Sequence, residues 1–594
     1  MTAPDVTGPG VTGTDNQAPV LVLGPMLRYV SETEATIWVE TDRACQVAIL
    51  GRQAPTFAVA GHHYALVVID GLTPGSEHEY QVTLDGTVRW PETSGPEAAA
   101  AAGGIFPPSV LRTLRPKASL ASEPIRIAFG SCRVTEVKLN SPREKAAYAQ
   151  ADDADALAAS AARLRDTPRD QWPDVLLMIG DQVYADNPGP ATRRFIRQRR
   201  DASAPPGEEV ADFEEYCALY REAWAEPAVR WLFSVIPTGM IFDDHDVRDD
   251  WNTSAAWRED MAAKPWWRAR LEGAYLGYWI YQHLGNLSPA ELDADETWQQ
   301  VRGREQSHQE QGHKSQESDA AGILRDLARR SDEGAAGIRW SFRRTFGTVR
   351  VVMIDSRTRR VLDPGKRLMT DEAEWQWVTD SVRGDWDHVV LATSVPLLLP
   401  RGIHALEAWC AGLCDGAWGN RGARFGERLR RTVDLEHWPS FGRSFALFEQ
   451  LLTGLASGEH AAPGGEPPAS VTVISGDVHH SYLTVVDLPA GVRSRTAVHQ
   501  AVCSPFHQWM PPLLRRAQKL GGSAPGGWLG AAVARLAGAR DPAIGWRITR
   551  GPWFENMFSV LEFTGRQATV TFDRAVTDSA GVPRLTTADQ TRLS

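Results

Sequence analysis

The stretch Val175-Leu176-Leu177-Met178-Ile179-Gly180-Asp181-Gln182-Val183-Tyr184 is the part of the sequence that decides the fold. Five consecutive apolar residues are typical of a strand that is buried on both faces of a sheet. The Gly-Asp pair then ends the strand and places a carboxylate and a phenol just beyond it. In α/β sheets ligands bind at this carboxyl edge, so the stretch predicts both a layered domain and the position of its site.

The same pattern recurs from residue 125 onward, where apolar segments of strand length alternate with helical stretches. Strands are predicted at residues 125–129, 175–179, 239–242, 349–354, 389–392 and 471–474. Helices are predicted between them, for example at residues 146–164 and 371–382. Buried strands that alternate with helices predict an α/β domain, which we place at residues 120–594.

The N-terminal part of the sequence has a different pattern. Residues 35–40 and 79–84 alternate between apolar and polar side chains, and no helical pattern interrupts them. The run Leu72-Thr73-Pro74-Gly75, followed by Tyr80 and Val82, resembles the late strands of fibronectin-type-III-like domains. We therefore predict a fibronectin- or Ig-like β-sandwich at residues 19–115.

Three further segments have the composition of irregular structure. Residues 1–18 are rich in Pro, Gly, Thr and Asp and are predicted to be a disordered tail. Residues 97–108 are rich in Ala, Gly and Pro and are predicted to be a linker. Residues 286–337 break the α/β pattern and are predicted to be an insertion, with an exposed polar stretch at 305–319.

Length and charge limit the classes of function. A chain of 594 residues exceeds one hydrophobic core, and a net charge of -11 argues against nucleic acid as a partner. A small phosphate ester remains compatible, because a local metal site can attract it. The sequence shows neither a run of roughly 20 apolar residues nor a signal peptide, so we expect no membrane span and a cytoplasmic location. It does not indicate an oligomeric state.

The cysteines do not suggest a disulfide framework, because six of them are scattered along a long chain. Cys410 and Cys414 are four positions apart and could form half of a metal site. Two small buried residues in an irregular segment are the more favoured interpretation.

Four predicted strand ends carry the side chains that suit catalysis. They provide Cys132, then Asp181 and Tyr184, then Asp243, Asp244, His245 and Asp246, and finally Asp477 and His479. Each motif is common by itself, but several carboxylates at one edge repel each other unless a cation neutralises them. The sequence therefore predicts a metal centre.

The ligand types fall into two groups. Asp244, Asp477 and His479 offer oxygen and imidazole, which suit Ca²⁺, Mn²⁺, Zn²⁺ or Mg²⁺. Cys132 and Tyr184 offer thiolate and phenolate, which favour Fe³⁺. Asp181 lies between the two groups and could bridge two metals.

The ordered set Ser-Cys, Gly-Asp-x-x-Tyr, Asp-Asp-His-Asp and Ser-Gly-Asp-Val-His resembles the alkaline phosphatase D family of metallophosphoesterases. The segment Ile354-Asp355-Ser356-Arg357 is similar to that family's Asp-Thr-Arg segment. The resemblance implies a four-layer α/β/β/α core and an Fe³⁺ centre with one or more Ca²⁺-like ions. It also implies activity on phosphodiesters and phosphomonoesters. Family members typically carry a twin-arginine export signal, which this sequence lacks.

These residues suggest metal-assisted hydrolysis of a phosphate ester by a metal-bridging hydroxide. We expect His245 to stabilise the transition state or to protonate the leaving group, with Asp246 orienting it. Arg357 is a candidate clamp for the phosphate. A nuclease- or phospholipase-type phosphodiesterase is the first alternative, and an inactive binding module on the same fold is the second.

Overall fold

The computed structural model describes residues 18–91, 106–116, 119, 123–139, 141–149, 151–311, 319–334 and 337–594. All but the last residue of the predicted disordered tail 1–18 lies outside the described residues. Most of the predicted linker 97–108 and part of the predicted insertion 286–337 lie outside them as well.

The N-terminal region consists of short strands in three sheets. The strands are β1 (Leu21–Val30), β2 (Ala35–Thr41), β3 (Gln46–Ile49), β4 (Arg52–Pro55), β5 (Phe57–Val59), β6 (His62–Ile69), β7 (Glu77–Glu79), β8 (Val82–Leu84), β9 (Thr87–Trp90) and β10 (Val110–Arg112). Their orders are β1-β2-β6-β5, β4-β3-β8-β9 and β10-β7. Alternate residues of β2, such as Ile37 and Val39, join Val47 and Val82 in the core of this region.

The strand predicted at residues 79–84 is interrupted in the structure. Its two halves, β7 and β8, belong to different sheets. The Tyr80 amide between them donates to Ser109 O, and the Tyr80 hydroxyl donates to Ser234 O at 2.6 Å. These bonds hold the chain where it crosses from one sheet to the other, so the alternating pattern marks two short strands.

The remainder of the chain is a mixed α/β fold built on two large sheets. Sheet I has the order β13-β12-β11-β21-β22-β23. Its strands are β11 (Ile125–Gly130), β12 (Val175–Ile179), β13 (Thr238–Ile241), β21 (Met557–Thr564), β22 (Gln567–Thr577) and β23 (Pro583–Arg592). β11, β12 and β13 are parallel, whereas β21 runs antiparallel to β11.

Sheet II has the order β14-β15-β16-β17-β19-β18-β20. Its strands are β14 (Phe342–Phe346), β15 (Val349–Ile354), β16 (His388–Thr393), β17 (Ser470–Ser475), β18 (Ser481–Asp487), β19 (Ala497–Val502) and β20 (Gly545–Trp553). β15, β16, β17 and β19 are parallel neighbours. Their carboxyl ends therefore lie at one edge, as do those of β11, β12 and β13 in sheet I.

The apolar strands of sheet II are buried on both faces, as their sequence predicts. Val351 and Met353 of β15 share a core cluster with Leu177 and Met240 of sheet I. The intervening residues Val352 and Ile354 join a second cluster with four helix residues, Val378, Phe448, Leu451 and Leu452. One face of sheet II therefore packs toward sheet I and the other packs against helices.

The helices alternate with the strands. They are α1 (Pro142–Tyr148), α2 (Ala156–Arg165), α3 (Pro190–Arg199), α4 (Phe213–Trp224), α5 (Pro227–Val235), α6 (Ala255–Ala262), α7 (Trp267–Gly277), α8 (Pro289–Ala294), α9 (Glu296–Gln311), α10 (Ala321–Asp332), α11 (Glu372–Ser381), α12 (Arg401–Cys414), α13 (Gly419–Thr432), α14 (Gly442–Ser457), α15 (Pro512–Gly521) and α16 (Ala524–Leu536). Within the described ranges, no helix is both long enough and apolar enough to cross a membrane.

One predicted helix and the predicted insertion need further description. The helix predicted at 146–164 is two helices, because the Asp155 carboxylate accepts from the amides of Leu157 and Ala158 and caps a new helix, α2. The described part of the insertion 286–337 contains α8, α9 and α10. Leu324 and Leu327 of α10 are buried, so this part of the segment packs into the fold.

The N-terminal sheets pack against the α/β fold. The Trp38 ring lies 5.3 Å from the Tyr281 ring, measured between centroids. The Arg28 guanidinium donates to Tyr281 O and Gln282 O at 2.5 Å each. Every metal-compatible cluster in the described part of the chain begins at Cys132 or later, so this region contributes none of their members.

Candidate metal centre

The four motif-bearing strand ends meet between the two sheets. Cys132, Asp181 and Asp243 follow β11, β12 and β13 of sheet I by two residues each, and Asp477 follows β17 of sheet II by two residues. Gly476 permits this meeting, because a Cβ at that position would collide with Ser131 Oγ and lie 3.1 Å from Ile179 O. The glycine in the Ser-Gly-Asp-Val-His motif is therefore required by the close approach of the sheets.

The backbone at this meeting point is unusual. Cys132, Asp181, Asp477 and His479 all have positive φ, between 51° and 67°. Non-glycine residues rarely adopt this conformation, and it costs free energy unless the surrounding structure imposes it. Its concentration at four predicted ligands indicates that the turns are shaped to present these side chains.

Asp181 lies at the middle of the group. Its Oδ2 is 3.3 Å from the Cys132 Sγ and 3.3 Å from the Tyr184 Oη. The Tyr184 Oη is 3.5 Å from His479 Nε2. No described residue donates a hydrogen bond to the buried Asp181 Oδ1, which leaves that oxygen for another ligand.

Asp181 belongs to three overlapping sets whose potential ligand atoms lie within 4.8 Å of one another. The sets are Cys132, Asp181 and His479; Asp181, Asp244 and His245; and Asp181, Asp243, Asp244 and Asp477. The first set has thiolate and imidazole donors and the third has only carboxylates. All six predicted ligands are thus close together, and Asp181 is common to the two kinds of donor.

The electrostatics of the group favour a bound cation. Burial raises the pKa of Asp181, Cys132 and Tyr184 well above their ordinary values, and the neighbouring acidic groups raise it further. Burial lowers the pKa of His479 to about 4, which keeps its imidazole neutral and able to bind a metal. Close, buried acidic groups with an unpaired carboxylate oxygen fit a metal ion, which would stabilise their ionised forms.

Asp477 is held by two residues that the strand-end pattern does not reveal. His437 Nε2 lies 2.8 Å from Asp477 Oδ2, and His437 Nδ1 lies 2.6 Å from Glu407 Oε1. Burial opposes a charged imidazole, but Glu407 and Asp477 outweigh it and raise the pKa of His437 well above its ordinary value. Neither Glu407 nor His437 directly follows a strand, so the strand-end pattern does not predict them.

The partner of His245 differs from the one expected. His245 Nδ1 lies 2.9 Å from Asp186 Oδ2, and its ring stacks on the Tyr184 ring at 4.4 Å. The expectation that Asp246 orients His245 is corrected. Asp246 instead accepts hydrogen bonds from the Asp243 amide at 2.9 Å and from Gln282 Nε2 at 2.9 Å.

The ionisation of this pair follows from its geometry. Burial opposes a charged imidazole, but Asp186 and Asp244 outweigh it and raise the pKa of His245 well above its ordinary value. Although burial opposes ionisation of Asp186, His245 lowers the pKa of that carboxyl to about 2. Asp186 lies five residues after Asp181 in the same turn, and this nearness was the only signal for it in the sequence.

Arg357 is completely buried, which a clamp on an incoming phosphate would not be. Its guanidinium forms ion pairs with Asp243 and Glu436, and its Nη2 lies 3.0 Å from Asp244 Oδ1. Arg360 also pairs with Glu436, at 3.0 Å. The expectation that Arg357 clamps the phosphate is therefore corrected, because its guanidinium binds the buried carboxylates of Asp243, Asp244 and Glu436 instead.

Comparison with known proteins gives matches for both regions. Residues 159–302 match the family model of the PhoD-like phosphatases, and residues 18–102 match a domain of unknown function, DUF7800. A solved structure described as PhoD is similar to this chain at 12% identity, with a TM-score of 0.54. The alignment covers 98% of this chain and 91% of that one. No curated protein sequence matches the chain.

Proposed function

The chain belongs to the alkaline phosphatase D family, as its motifs predict, and on this premise we propose that it hydrolyses phosphate esters at a metal centre. The surroundings of Asp181 are the observation that supports this most. One of its oxygens contacts the Cys132 thiol and the Tyr184 phenol, and the other is buried without a described donor. The same carboxylate adjoins Asp244 and Asp477.

The proposed ligands are Cys132, Asp181, Tyr184, Asp244, Asp477 and His479. We propose Fe³⁺ on the side of Cys132 and Tyr184, because thiolate and phenolate are strong anionic donors. We propose a divalent ion, Ca²⁺ or one of Mn²⁺, Zn²⁺ and Mg²⁺, on the side of Asp244 and Asp477. Metal ions in such a centre polarise phosphoryl oxygens as Lewis acids and make hydroxide available at neutral pH.

His245 is the proposed proton donor to the leaving group. Asp186 holds the Nδ1 side of the ring, so Nε2 is the nitrogen that can transfer a proton. Stacking on Tyr184 fixes the plane of the imidazole beside the metal ligands. Asp186 is therefore a positioning residue, because it acts through His245.

Arg357 is also a proposed positioning residue. Its charge offsets those of Asp243, Asp244 and Glu436, which lie together in a buried position. A phosphate would bind on the exposed side of the centre, and Arg357 fixes Asp244 from the opposite side. Asp246 supports the turn through its bond to the Asp243 amide.

We propose the following architecture for this function. Sheets I and II form the inner layers of a four-layer α/β/β/α core at residues 120–594. Residues 19–115 form a fibronectin- or Ig-like sandwich that supplies no ligand. The shared core between the sheets and the helices packed on Val352 and Ile354 support this proposal.

Turnover by the full chain and by Asp181→Asn tests the proposal. The substrates are chromogenic phosphate monoesters and diesters, and metal content is measured on the same samples. We expect Asp181→Asn to lose most of its turnover and its metal while its circular dichroism spectrum stays unchanged. Comparing the two ester classes separates a phosphomonoesterase from a nuclease- or phospholipase-type phosphodiesterase.

Asp573→Asn is the matched control. Asp573 is also a buried aspartate. It lies on β22, pairs with Arg163 of α2 and Thr587 of β23, and belongs to none of the ligand clusters. We expect this variant to keep turnover and metal. A purified wild-type chain that contains metal and hydrolyses neither ester class would support the inactive binding module instead.

A further inference from the structure

The exposed large apolar side chains are concentrated in one helical part of the molecule. All but one of those in the described ranges lie on or beside α12, α13, α15 and α16, and the exception is Val20. They are Leu406, Trp418, Phe425, Val433, Leu513, Leu514, Leu520, Trp528, Leu529 and Leu536. Scattered single apolar residues are common on protein surfaces, but this concentration is a sign of a binding surface.

The packing of α16 explains why its large side chains remain outside. Its inner face is made of small residues, and a Cβ on Gly530 would lie 3.1 Å from the Ala405 Cβ of α12. A Cβ on Gly402 of α12 would lie 3.1 Å from Gly526 O of α16. Trp528 and Leu536 therefore point away from α12, with exposed fractions of 78% and 72%.

α15 continues this surface. None of its residues is buried, and Leu513 and Leu520 are 76% and 70% exposed. The Trp418 indole N–H donates to Leu536 O at 3.1 Å, which ties the segment between α12 and α13 to the end of α16. We call the outward faces of α15 and α16 the apolar–basic face.

The charge of this face is opposite to that of the whole chain. Residues 511–540 contain no Asp or Glu, whereas the chain has a net charge of -11. The segment contains five basic residues: Arg515, Arg516, Lys519, Arg535 and Arg540. Arg535 pairs with Asp541, so the positive charge of the face comes mainly from α15.

We propose that the apolar–basic face docks onto the surface of an anionic lipid bilayer. Exposed Leu and Trp side chains beside Arg and Lys are typical of helices that lie in the headgroup region. The indole of Trp528 suits the boundary between headgroups and acyl chains, and long basic side chains reach anionic headgroups. In a twofold-symmetric dimer this face would meet its own copy and the like charges would repel, so charge complementarity favours the anionic bilayer over a second copy of the chain.

Vesicle co-sedimentation of the full chain tests this proposal. The probes are phosphatidylcholine vesicles with and without phosphatidylglycerol, at low and high salt. We expect binding to the vesicles with phosphatidylglycerol and weaker binding in high salt. We also expect Trp528→Glu combined with Leu529→Glu to weaken binding at least roughly tenfold, because two exposed apolar anchors are lost.

Two further variants sharpen the result. Val20→Glu alters the one exposed large apolar side chain in the described ranges that does not lie on or beside α12, α13, α15 or α16, and this variant should bind vesicles as the wild type does. Replacing the exposed Arg516 and Lys519 by Gln should weaken the preference for phosphatidylglycerol. These positions are exposed enough for the fold to persist, which circular dichroism checks.

Two outcomes would overturn the proposal. The first is an equal affinity of the wild type and of the Trp528→Glu, Leu529→Glu variant for the vesicles, or no binding by either. The second is a dimer in analytical ultracentrifugation that this variant abolishes, together with no vesicle binding by the wild type. That result would assign the face to a second copy of the chain.

Discussion

Asp186 shows how much of the proposed chemistry depends on single residues that belong to no sequence motif. Its carboxylate fixes the Nδ1 side of His245, and it also accepts the Asp249 amide at 2.8 Å. The backbone turn and the His245 ring are therefore held by the same side chain. Without that carboxylate, the imidazole would lose its Nδ1 partner and the strongest of the charges that raise its pKa.

We expect Asp186→Asn to lower kcat by about 10²-fold for esters with poor leaving groups, because protonation of the leaving group is lost. Esters of acidic phenols, which leave without a proton, should lose much less. The measurement is kcat across a series of aryl phosphates with known leaving-group pKa values. Asp249→Asn is the control. The Asp249 carboxylate is also near His245, but it is mostly exposed and, at 3.7 Å from His245 Nε2, it lies beyond hydrogen-bond distance. Equal losses for all leaving groups would contradict the proton-donor role.

The Tyr184 phenol is the ligand that most strongly favours Fe³⁺ in the proposed centre. A phenol with an ordinary pKa of about 10 ionises at neutral pH only beside strong positive charge, and Fe³⁺ supplies more than a divalent ion. We expect a coloured protein with a visible charge-transfer band, and Tyr184→Phe should shift or abolish the band and weaken iron retention. Tyr80→Phe, which removes a buried phenol bonded to Ser234 O, should leave both unchanged. A colourless active protein without iron would exclude Fe³⁺.

A residue could be assigned to the candidate site from the sequence only where it closely follows a predicted strand. Cys132, Asp181, Asp244 and Asp477 follow apolar strands, so the apolar pattern alone predicts that they lie together. Glu407, Glu436 and His437 are equally close to the site but come from a helix and a following turn. Their positions depend on how residues 401–441 fold back onto sheet II, which the apolar pattern does not determine.

At the scale of elements, α12 and α16 are held together by a surface without large side chains. A Cβ on Gly412 of α12 would collide with the Ala537 carbonyl that ends α16. The helices therefore approach through glycine and alanine backbone contacts, and their packing leaves no room for one added methyl group.

We expect Gly412→Ala to destabilise the chain by about 1–3 kcal/mol, because overpacking outweighs the gain of about 1 kcal/mol in helix propensity. Gly322→Ala in α10 is the matched control, because a Cβ there meets nothing within 4 Å. That change should stabilise the chain by about 0.5–1 kcal/mol. The opposite signs are measured as shifts of Tm by scanning calorimetry. A rise in Tm for both variants would show that α12 and α16 separate easily.

The elements were predicted best where they are buried on both faces. The strands at 175–179 and 349–354 coincide with β12 and β15, because an uninterrupted apolar run has few other stable places in a fold. The helix predicted at 146–164 was wrong, because a capping aspartate in its middle starts a new helix. The single strand predicted at residues 79–84 was also wrong, because alternating apolar and polar residues do not reveal that the chain crosses from one sheet to another.

At the scale of the whole molecule, His388 links the two large sheets. It lies at the start of β16 in sheet II, with Nε2 2.9 Å from Gly565 O between β21 and β22 of sheet I. Its Nδ1 lies 2.7 Å from Ser470 Oγ, and its ring stands 4.7 Å from Phe563. Burial lowers the pKa of this imidazole below its ordinary value of 6.5, so the folded chain holds it neutral.

We expect this link to weaken in acid. The His388 imidazole is neutral in the folded chain, and below pH 6.5 it takes up a proton on unfolding. Its contribution to the free energy of unfolding is therefore complete above pH 6.5 and is lost as the pH falls below that value. The loss is at most about 1.4 kcal/mol per pH unit. Tm measured from pH 7 to pH 5 should therefore fall less steeply for His388→Gln than for the wild type. His78→Gln, at an edge strand of the N-terminal region, is the control, and parallel curves for wild type and His388→Gln would contradict the assignment.

The order of the proposed ligands along the chain has a consequence for biosynthesis. Cys132, Asp181, Tyr184 and Asp244 are translated early, whereas Asp477 and His479 follow Tyr184 by about 290 residues, or roughly 15 to 60 s of elongation. β11, which carries Cys132, pairs with β21 near the end of the sequence. A nascent chain therefore exposes a thiol and several carboxylates long before it can complete the centre. Loading of the proposed centre would therefore wait until Asp477 and His479 have been translated, and a cell that runs short of metal would accumulate chains in which this last assembly step is missing.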